Sequence, residues 1–200
     1  MFKRVLIANR GEIAIRIARA ASALGVESVG VYPAVDRLAL HTQLTSSARE
    51  IASASADPVR AYLDIEAIIA AAKASDCDCV HPGYGFLSEN ANFAQRCAME
   101  GLRFIGPSPA SLALFGDKIE ARAFAQSLQI PVLAGTPGPL ANGDEARAMA
   151  QAVGYPVMLK AAAGGGGRGM RVVSKAEDMA EAFAAAKARP KRRLATERFS

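Results

Sequence analysis

Four short apolar runs, separated by stretches with helical spacing, constrain the first half of this chain more than any other feature. KRVLIA (3–8), ESVGVYP (27–33), CDCVHP (77–82) and LRFIGP (102–107) are strand-length and apolar at their centres. Runs of that kind suit strands buried on both faces of a parallel sheet. After the first run, Ile13, Ile17, Ala20, Ala21 and Leu24 recur at helical spacing, and Gly25 closes the segment. Asn9, with Glu12 three residues on, has the form of a capping box. AYLDIEAIIAAAKASDC (61–77) and ANFAQRCAMEG (91–101) read as two further helices, the second closed by Gly101. Strands and helices in alternation predict an α/β fold with a doubly wound parallel sheet through about residue 107.

The texture then changes. SPASLALFGDKIEARAFAQSLQI (108–130) and DEARAMAQAVG (144–154) are helical, joined by the Pro/Gly-rich PVLAGTPGPLANGD (131–144). PVMLKA (156–161) and MRVV (170–173) read as two strands, and KAEDMAEAFAAAKA (175–188) as a helix that stops before Pro190. The expected division is a first domain over 1–113 and a second, shorter unit over 114–200. No internal repeat is present.

Composition narrows the function classes. Hydrophobic residues make up 51% and charged residues 22% of the chain, an ordinary globular balance. Arg10 and Glu12 interrupt the opening before a signal-peptide core forms, and no apolar run approaches the roughly 18 residues of a membrane span. The net charge of +5 resides wholly in residues 187–200, where Lys187, Arg189, Lys191, Arg192, Arg193 and Arg198 face only Glu197. A short basic end without interleaved aromatics reads as a solvated segment, so nucleic acid is not expected as a partner. Cys77, Cys79 and Cys97 contain no CxxC pair. The spacing of Cys77 and Cys79 predicts two buried free thiols on one strand face, with no metal site, in a reducing cytoplasm.

Between the last two strands lies AAAGGGGRGM (161–170). Each glycine in an ordered loop costs up to ~1 kcal/mol of conformational entropy relative to alanine. A flexible linker would mix glycine with serine and would seldom join two apolar strands. Bare backbone N–H groups closing over an anion, with Lys160 and Arg168 adding charge, suit a phosphate cradle. Gly164, Gly166 and Gly169 satisfy G-x-G-x-x-G, but a strand follows where the dinucleotide fingerprint needs a helix. A Walker A lysine follows its glycines, whereas Lys160 precedes these, and the downstream V-A-I-K strand of a kinase is missing. What remains resembles the phosphate lid of ATP-grasp enzymes.

The resemblance then becomes specific. IANRGEIAIRI, YLDIEAII, HPGYGFLSENANFA, FIGPSP, FGDKIEARA and GYPVMLKAAAGGGGRGMRVV follow the order and spacing of biotin carboxylase, over residues 3 to about 186. Biotin carboxylase is the ATP-grasp component of acetyl-CoA, propionyl-CoA, pyruvate and urea carboxylases. The resemblance implies a Rossmann-like pre-ATP-grasp domain followed by an incomplete ATP-grasp domain. It implies an ATP-dependent carbon–nitrogen ligase that carboxylates biotin on a carrier protein, with ATP, Mg²⁺ and biotin as cofactors and bicarbonate as substrate. Implied partners are the biotin carboxyl carrier, a carboxyltransferase and a second copy of the first domain.

Residue by residue, Lys118 and Lys160 match the two family lysines that contact the nucleotide phosphates. Gly165, Gly166, Gly167 and Gly169 match the lid, flanked by Arg168 and Met170, and Glu197 in LATERFS matches a glutamate of the strand that pairs with adenine. Tyr84 and Gly85 match a turn lining the biotin side; read alone, HPGYG is also a strand-end turn that keeps only shape. His81 is expected to be structural, Glu12 to cap a helix and Arg16 to lie at the surface or a dimer contact. The chain departs from the family with Ala162 in place of a serine, and with SSAR at 46–49. The half of the ATP-grasp domain carrying the Mg²⁺ carboxylates, the bicarbonate-binding residues and the general base has no counterpart in these 200 residues. The resemblance therefore implies an N-terminal fragment without catalytic or metal-ligating residues, inactive alone. The alternatives are a non-catalytic nucleotide-binding or dimerising module, and a half-enzyme completed by another chain.

Overall fold

The computed structural model describes residues 2–52, 57–136, 138–160 and 170–187, and the chain divides into two compact units, residues 1–121 and 122–200. In the first unit the apolar runs become β1 (Arg4–Ile7), β2 (Glu27–Tyr32), β4 (Cys79–His81) and β5 (Arg103–Phe104), with β3 (Ser47–Glu50) added at one edge. The sheet order is β3-β2-β1-β4-β5 and every pairing is parallel, as the alternation of runs predicts. Successive residues of β1 serve opposite faces. Val5 and Ile7 pack with Ala14, Ala18 and Ala21 of helix α1 (Gly11–Ala23). Leu6 joins Val29, Val31 and Val80 under helices α3 (Ile65–Lys73) and α4 (Ala91–Met99), which contribute Ile68, Ile69, Phe93 and Ala94.

Strand β3 and the preceding helix α2 (Leu40–Leu44) have no hydropathy signal. All four β3 side chains are exposed, and the strand is defined by its backbone ladder, Val29↔Ser47 through Tyr32↔Glu50. Helix α2 sits where Gly30 leaves room: a Cβ there would lie 2.9 Å from Thr45 Oγ1. The long helical stretch at 61–77 is shortened to α3, because Asp64 caps it by accepting from Ala67 N at 3.0 Å. A 3-10 turn, Pro58–Leu63, precedes it. The stretch at 108–130 is two helices, α5 (Pro109–Gly116) and α6 (Lys118–Ser127), broken at Asp117, whose carboxylate accepts from Ile119 N and Glu120 N.

Two local expectations are corrected. Asn9 and Glu12 form no capping box: the N-cap of α1 is Arg10, without a side-chain cap bond, and the Asn9 carboxamide is engaged elsewhere. Cys77 and Cys79 do not share a strand face. Cys77 precedes β4 and packs with the α3/α4 layer, whereas Cys79 packs with Val5 and Ala21 on the α1 side.

The second unit contains α7 (Gly143–Val153), β6 (Val157–Leu159), β7 (Arg171–Val173) and α8 (Met179–Lys187). Here an N-x-x-E pair does cap a helix: Asn142 accepts from Glu145 N at 2.9 Å, and the Glu145 carboxylate accepts from Ala141 N at 2.7 Å. Strands β6 and β7 are antiparallel, and Val157, Leu159 and Val173 pack onto Ala146, Ala150, Met179 and Phe183. Among the described residues no helix is long and apolar enough to cross a membrane.

The three cysteines are free and buried, and burial pushes their thiols up, to about 11 for Cys77, about 12 for Cys79 and about 11 for Cys97. Because only the exposed thiolate reacts readily, the folded protein is expected to give almost no signal with a thiol-specific reagent near neutral pH. All three thiols should appear together on addition of denaturant, and prompt labelling of the native protein would contradict this packing.

Candidate functional site

In a parallel sheet, ligands bind beyond the carboxyl ends of the strands where the chain order reverses. Here that point lies between β1, whose successors β2 and β3 lie on one side, and β4, whose successor β5 lies on the other. The segments leaving it are Asn9–Arg10 and the turn from Pro82 to Phe86. Asn9 is 2% exposed. Its Nδ2 donates to Pro82 O at 2.8 Å and to Tyr84 O at 2.9 Å, while its Oδ1 accepts from Arg10 N at 2.9 Å. His81 Nδ1 accepts from Gly83 N at 3.0 Å. The turn runs through left-handed backbone at Gly83 (φ +68°), Gly85 (φ +69°) and Phe86 (φ +43°). At Gly83 there is no room for a side chain: a Cβ would lie 2.6 Å from Asn9 Nδ2 and 2.7 Å from Ile13 Cγ2. Gly85 has open space at the same point. Tyr84 is 74% exposed.

A polar chain backs the turn. Arg10 donates from Nε and Nη2 to the two carboxylate oxygens of Asp36, both at 2.8 Å. The buried Tyr62 hydroxyl donates to Asp36 Oδ2 at 2.7 Å, and the Arg10 guanidinium lies 5.8 Å from the Tyr62 ring centroid. Tyr62 in turn stacks on Phe86, with centroids 5.3 Å apart. Burial pushes the Asp36 carboxyl up, but the hydrogen bonds from Arg10 and Tyr62 and the Arg10 charge outweigh it and hold the group below the usual carboxylate range. Burial, followed by the Asp36 contact, raises the Tyr62 phenol. Nearby, buried His41 donates Nε2–H to Val31 O at 3.2 Å, and its Nδ1 has no partner among the described residues. None of this polar chain stands out in the sequence, because Asp36 and Tyr62 lie in separate segments and carry no motif of their own.

In the second unit, the ladder Val157↔Val173, Met158↔Val172, Leu159↔Arg171 makes Lys160 and Met170 the next residues out on the two strands. Met158 and Val172 face each other on the side away from α7 and α8, 50% and 65% exposed, and Met170 is 44% exposed. Lys160, two residues beyond Met158, is exposed and continues the same face by strand alternation. A cation therefore stands at the end of an apolar strip. The apolar partners Met158 and Val172 were not among the expected site residues, although the alternation in VMLK and MRVV carries them. Lys118 opens α6 in the first unit and is exposed. Gly165, Gly166, Gly167, Arg168, Gly169 and Glu197, together with Ala162, lie outside the described residues.

Residues 1–112 match the family model described as biotin carboxylase, N-terminal domain, and residues 117–199 match carbamoyl-phosphate synthase L chain, ATP binding domain. The chain belongs to the biotin carboxylase family. A biotin carboxylase of Nostoc sp. is 46% identical over 185 residues, covering 92% of this chain and 41% of that protein. A pyruvate carboxylase of Staphylococcus aureus is 46% identical over 185 residues, covering 92% of this chain and 16% of that protein. Among solved structures, a Campylobacter jejuni biotin carboxylase in complex with β,γ-ATP superposes with a TM-score of 0.87 at 44% identity, over 94% of this chain and 42% of that one. The biotin carboxylase domain dimer of a Hydrogenobacter thermophilus 2-oxoglutarate carboxylase, in complex with MgADP, ADP and bicarbonate, gives 0.85 at 40% identity, over 93% and 40%. The chain thus spans well under half the length of each of these relatives.

Two outcomes follow from this geometry. Gly83→Ala combines left-handed strain with a clash and should destabilise by about 2–4 kcal/mol. Gly85→Ala carries the strain alone and should cost about 1–2 kcal/mol; equal losses in denaturant unfolding would contradict the close packing at Gly83. Burial is the main reason that His41 in the fold titrates below its ordinary 6.5. On acidification the unfolded chain therefore takes up that proton first, so stability holds above about 6.5 and falls below it. The loss is at most about 1.4 kcal/mol per pH unit until the folded ring itself titrates. His41→Gln should remove this share of the slope, leaving that of His81, which burial lowers in the same direction.

Proposed function

We propose that this chain is part of an ATP-dependent biotin carboxylase, in which bicarbonate and ATP carboxylate biotin held on a carrier protein. In that reaction a bicarbonate oxygen attacks the γ-phosphorus of ATP, ADP leaves, and carboxyphosphate forms. Carboxyphosphate breaks down to CO₂ and phosphate, and the deprotonated ureido nitrogen of biotin captures the CO₂. Phosphoryl transfer of this kind depends on positioning and charge more than on covalent participation by the protein.

The observation that carries the reading is the exposed face of the β6–β7 hairpin, where Lys160 stands at the end of the strip formed by Met158, Val172 and Met170. An apolar strip accepts a purine ring, and a compact ammonium at its end suits the phosphates. Lys118 is proposed as the second phosphate contact. Gly165, Gly166, Gly167, Arg168 and Gly169 are proposed as the lid over the phosphates, and Glu197 as a residue of the adenine side. Water exclusion by such a lid protects carboxyphosphate from hydrolysis. Tyr84 and Gly85 are proposed to line the biotin side at the crevice between β1 and β4. Among the described residues no group of three or more His, Cys, Asp or Glu side chains is placed to hold a metal ion. The domain boundary at 113/114, a homodimer through the first domain, the biotin carrier and carboxyltransferase partners, and a cytoplasmic setting belong to the same proposal.

The test is made in the full-length protein that carries this sequence. A hydrogen bond to a charged group contributes about 1.5–3 kcal/mol, so Lys160→Ala should raise KM for ATP by roughly ten- to a hundredfold. KM for free biotin should be little changed. An ATP KM indistinguishable from wild type would remove Lys160 from the nucleotide site and the reading with it.

A further inference from the structure

Besides its local bonds, Gly83 N to His81 Nδ1 and Ser88 N to Gly85 O, the turn that carries Tyr84 and Gly85 is held at two points by residues outside it. From the β1 side, the Asn9 carboxamide donates to the carbonyls of Pro82 and Tyr84, which flank Gly83. Gly83 is the residue whose missing Cβ lets that amide approach. At the end of the turn, Phe86 stacks on Tyr62, and Tyr62 is anchored through its hydroxyl to Asp36. Asp36 is gripped bidentately by Arg10, whose own backbone N–H donates to Asn9 Oδ1. The two holds therefore close into a ring: Asn9, Arg10, Asp36, Tyr62, Phe86 and back through the turn to Asn9. Such a ring leaves the turn little freedom to rotate. Its backbone passes through the left-handed region at Gly83, Gly85 and Phe86, a path that a free segment of this composition would not hold on its own.

Asn9 has the attributes of a device rather than of a core filler. It is 2% exposed, and both its amide donor and its carbonyl acceptor are used. It follows the end of β1 and is itself buried, whereas Tyr84 is 74% exposed. Its two accepting carbonyls belong to the residues on either side of Gly83, so replacing its N–H donors with an oxygen reverses the polarity at both contacts at once.

We infer that Asn9, supported by the Arg10–Asp36–Tyr62 chain, is a positioning residue for biotin: it sets the path of the Gly83–Phe86 turn and has no direct role at the nucleotide. This rests on the reading that Tyr84 and Gly85 line the biotin side. The effect should therefore fall on biotin and spare ATP. A small misplacement of a substrate-contacting turn costs rate and affinity out of proportion to its size.

The experiment uses the full-length protein that carries this sequence, with free biotin as the carboxyl acceptor and with ATP and bicarbonate varied separately. Asn9→Asp keeps the shape and the acceptor oxygen but loses both donors; it should raise KM for biotin by about tenfold or more while leaving KM for ATP within about twofold. Tyr62→Phe keeps the Phe86 stack and loses only the bond to Asp36; it should raise KM for biotin by about threefold, again sparing ATP. If Asn9→Asp fails to fold, Tyr62→Phe decides the matter. Tyr84→Ala is run alongside to separate the two claims. Should Tyr84→Ala weaken biotin while the Asn9 and Tyr62 variants match wild type, the positioning role falls and the biotin-side reading stands. Should Tyr84→Ala leave biotin unaffected, the biotin-side reading falls and takes the positioning role with it. Biotin and ATP constants that rise together would mark a general structural role and would also overturn the inference.

Discussion

Strand β1 is hydrogen-bonded along both edges, to β2 and to β4, and each of its faces is sealed by helices. A strand so placed has no wet side and no free ladder, which is why RVLI is apolar throughout its last three residues and why the layers on either side of it must be continuous. Everything else in the first unit is arranged around it. The helices take opposite faces, and the chain order reverses beside β1, so its carboxyl end opens into the crevice where Asn9 and the Pro82–Phe86 turn meet.

The polar residues at that end are a consequence of the same burial. A tyrosine that is 1% exposed must find a partner for its hydroxyl, and Asp36 supplies it. A partly buried carboxylate in turn needs a cation, and Arg10 meets it with two hydrogen bonds. Removing Arg10 would leave the partly buried Asp36 carboxylate without its cation, and removing Asp36 would leave the buried Tyr62 hydroxyl unpaired, each a larger loss than the bond itself contributes. The contacts are therefore linked, and the last of them is the stack of Tyr62 on Phe86, the residue that ends the turn.

The second unit has a different economy. Among the described residues its core is small, with Ala146, Ala150, Val173 and Met179 as its buried apolar residues, and these cover one face of its hairpin. The open face carries an apolar strip ended by Lys160, which is what supports the proposed contact with a base and its phosphates. Family membership alone would assign the lysine; the register of β6 with β7 adds that Met158 and Val172 stand beside each other on its side of the hairpin.

Several features could be read from the chain itself because their causes are local or compositional. The strands β1, β2, β4 and β5 are visible as short apolar runs, and the closure of α4 as Gly101 in left-handed backbone. Strand β3 was not visible, because an edge strand with four exposed side chains is specified by the ladder it completes. Asn9 and Asn142 make the point most directly. Each begins an N-x-x-E pattern; Asn142 caps α7, whereas Asn9 turns away from α1 to hold a turn more than seventy residues distant. Cys77 and Cys79, two residues apart, were expected on one face and are divided by the sheet, because β4 begins only at Cys79. By itself the sequence determined the alternating layers of the first unit, since these depend on periodicity and residue type. Only the tertiary structure decided which polar groups meet at the end of β1, because hydrogen bonds between distant segments exist only once the parallel sheet has brought their strand ends together.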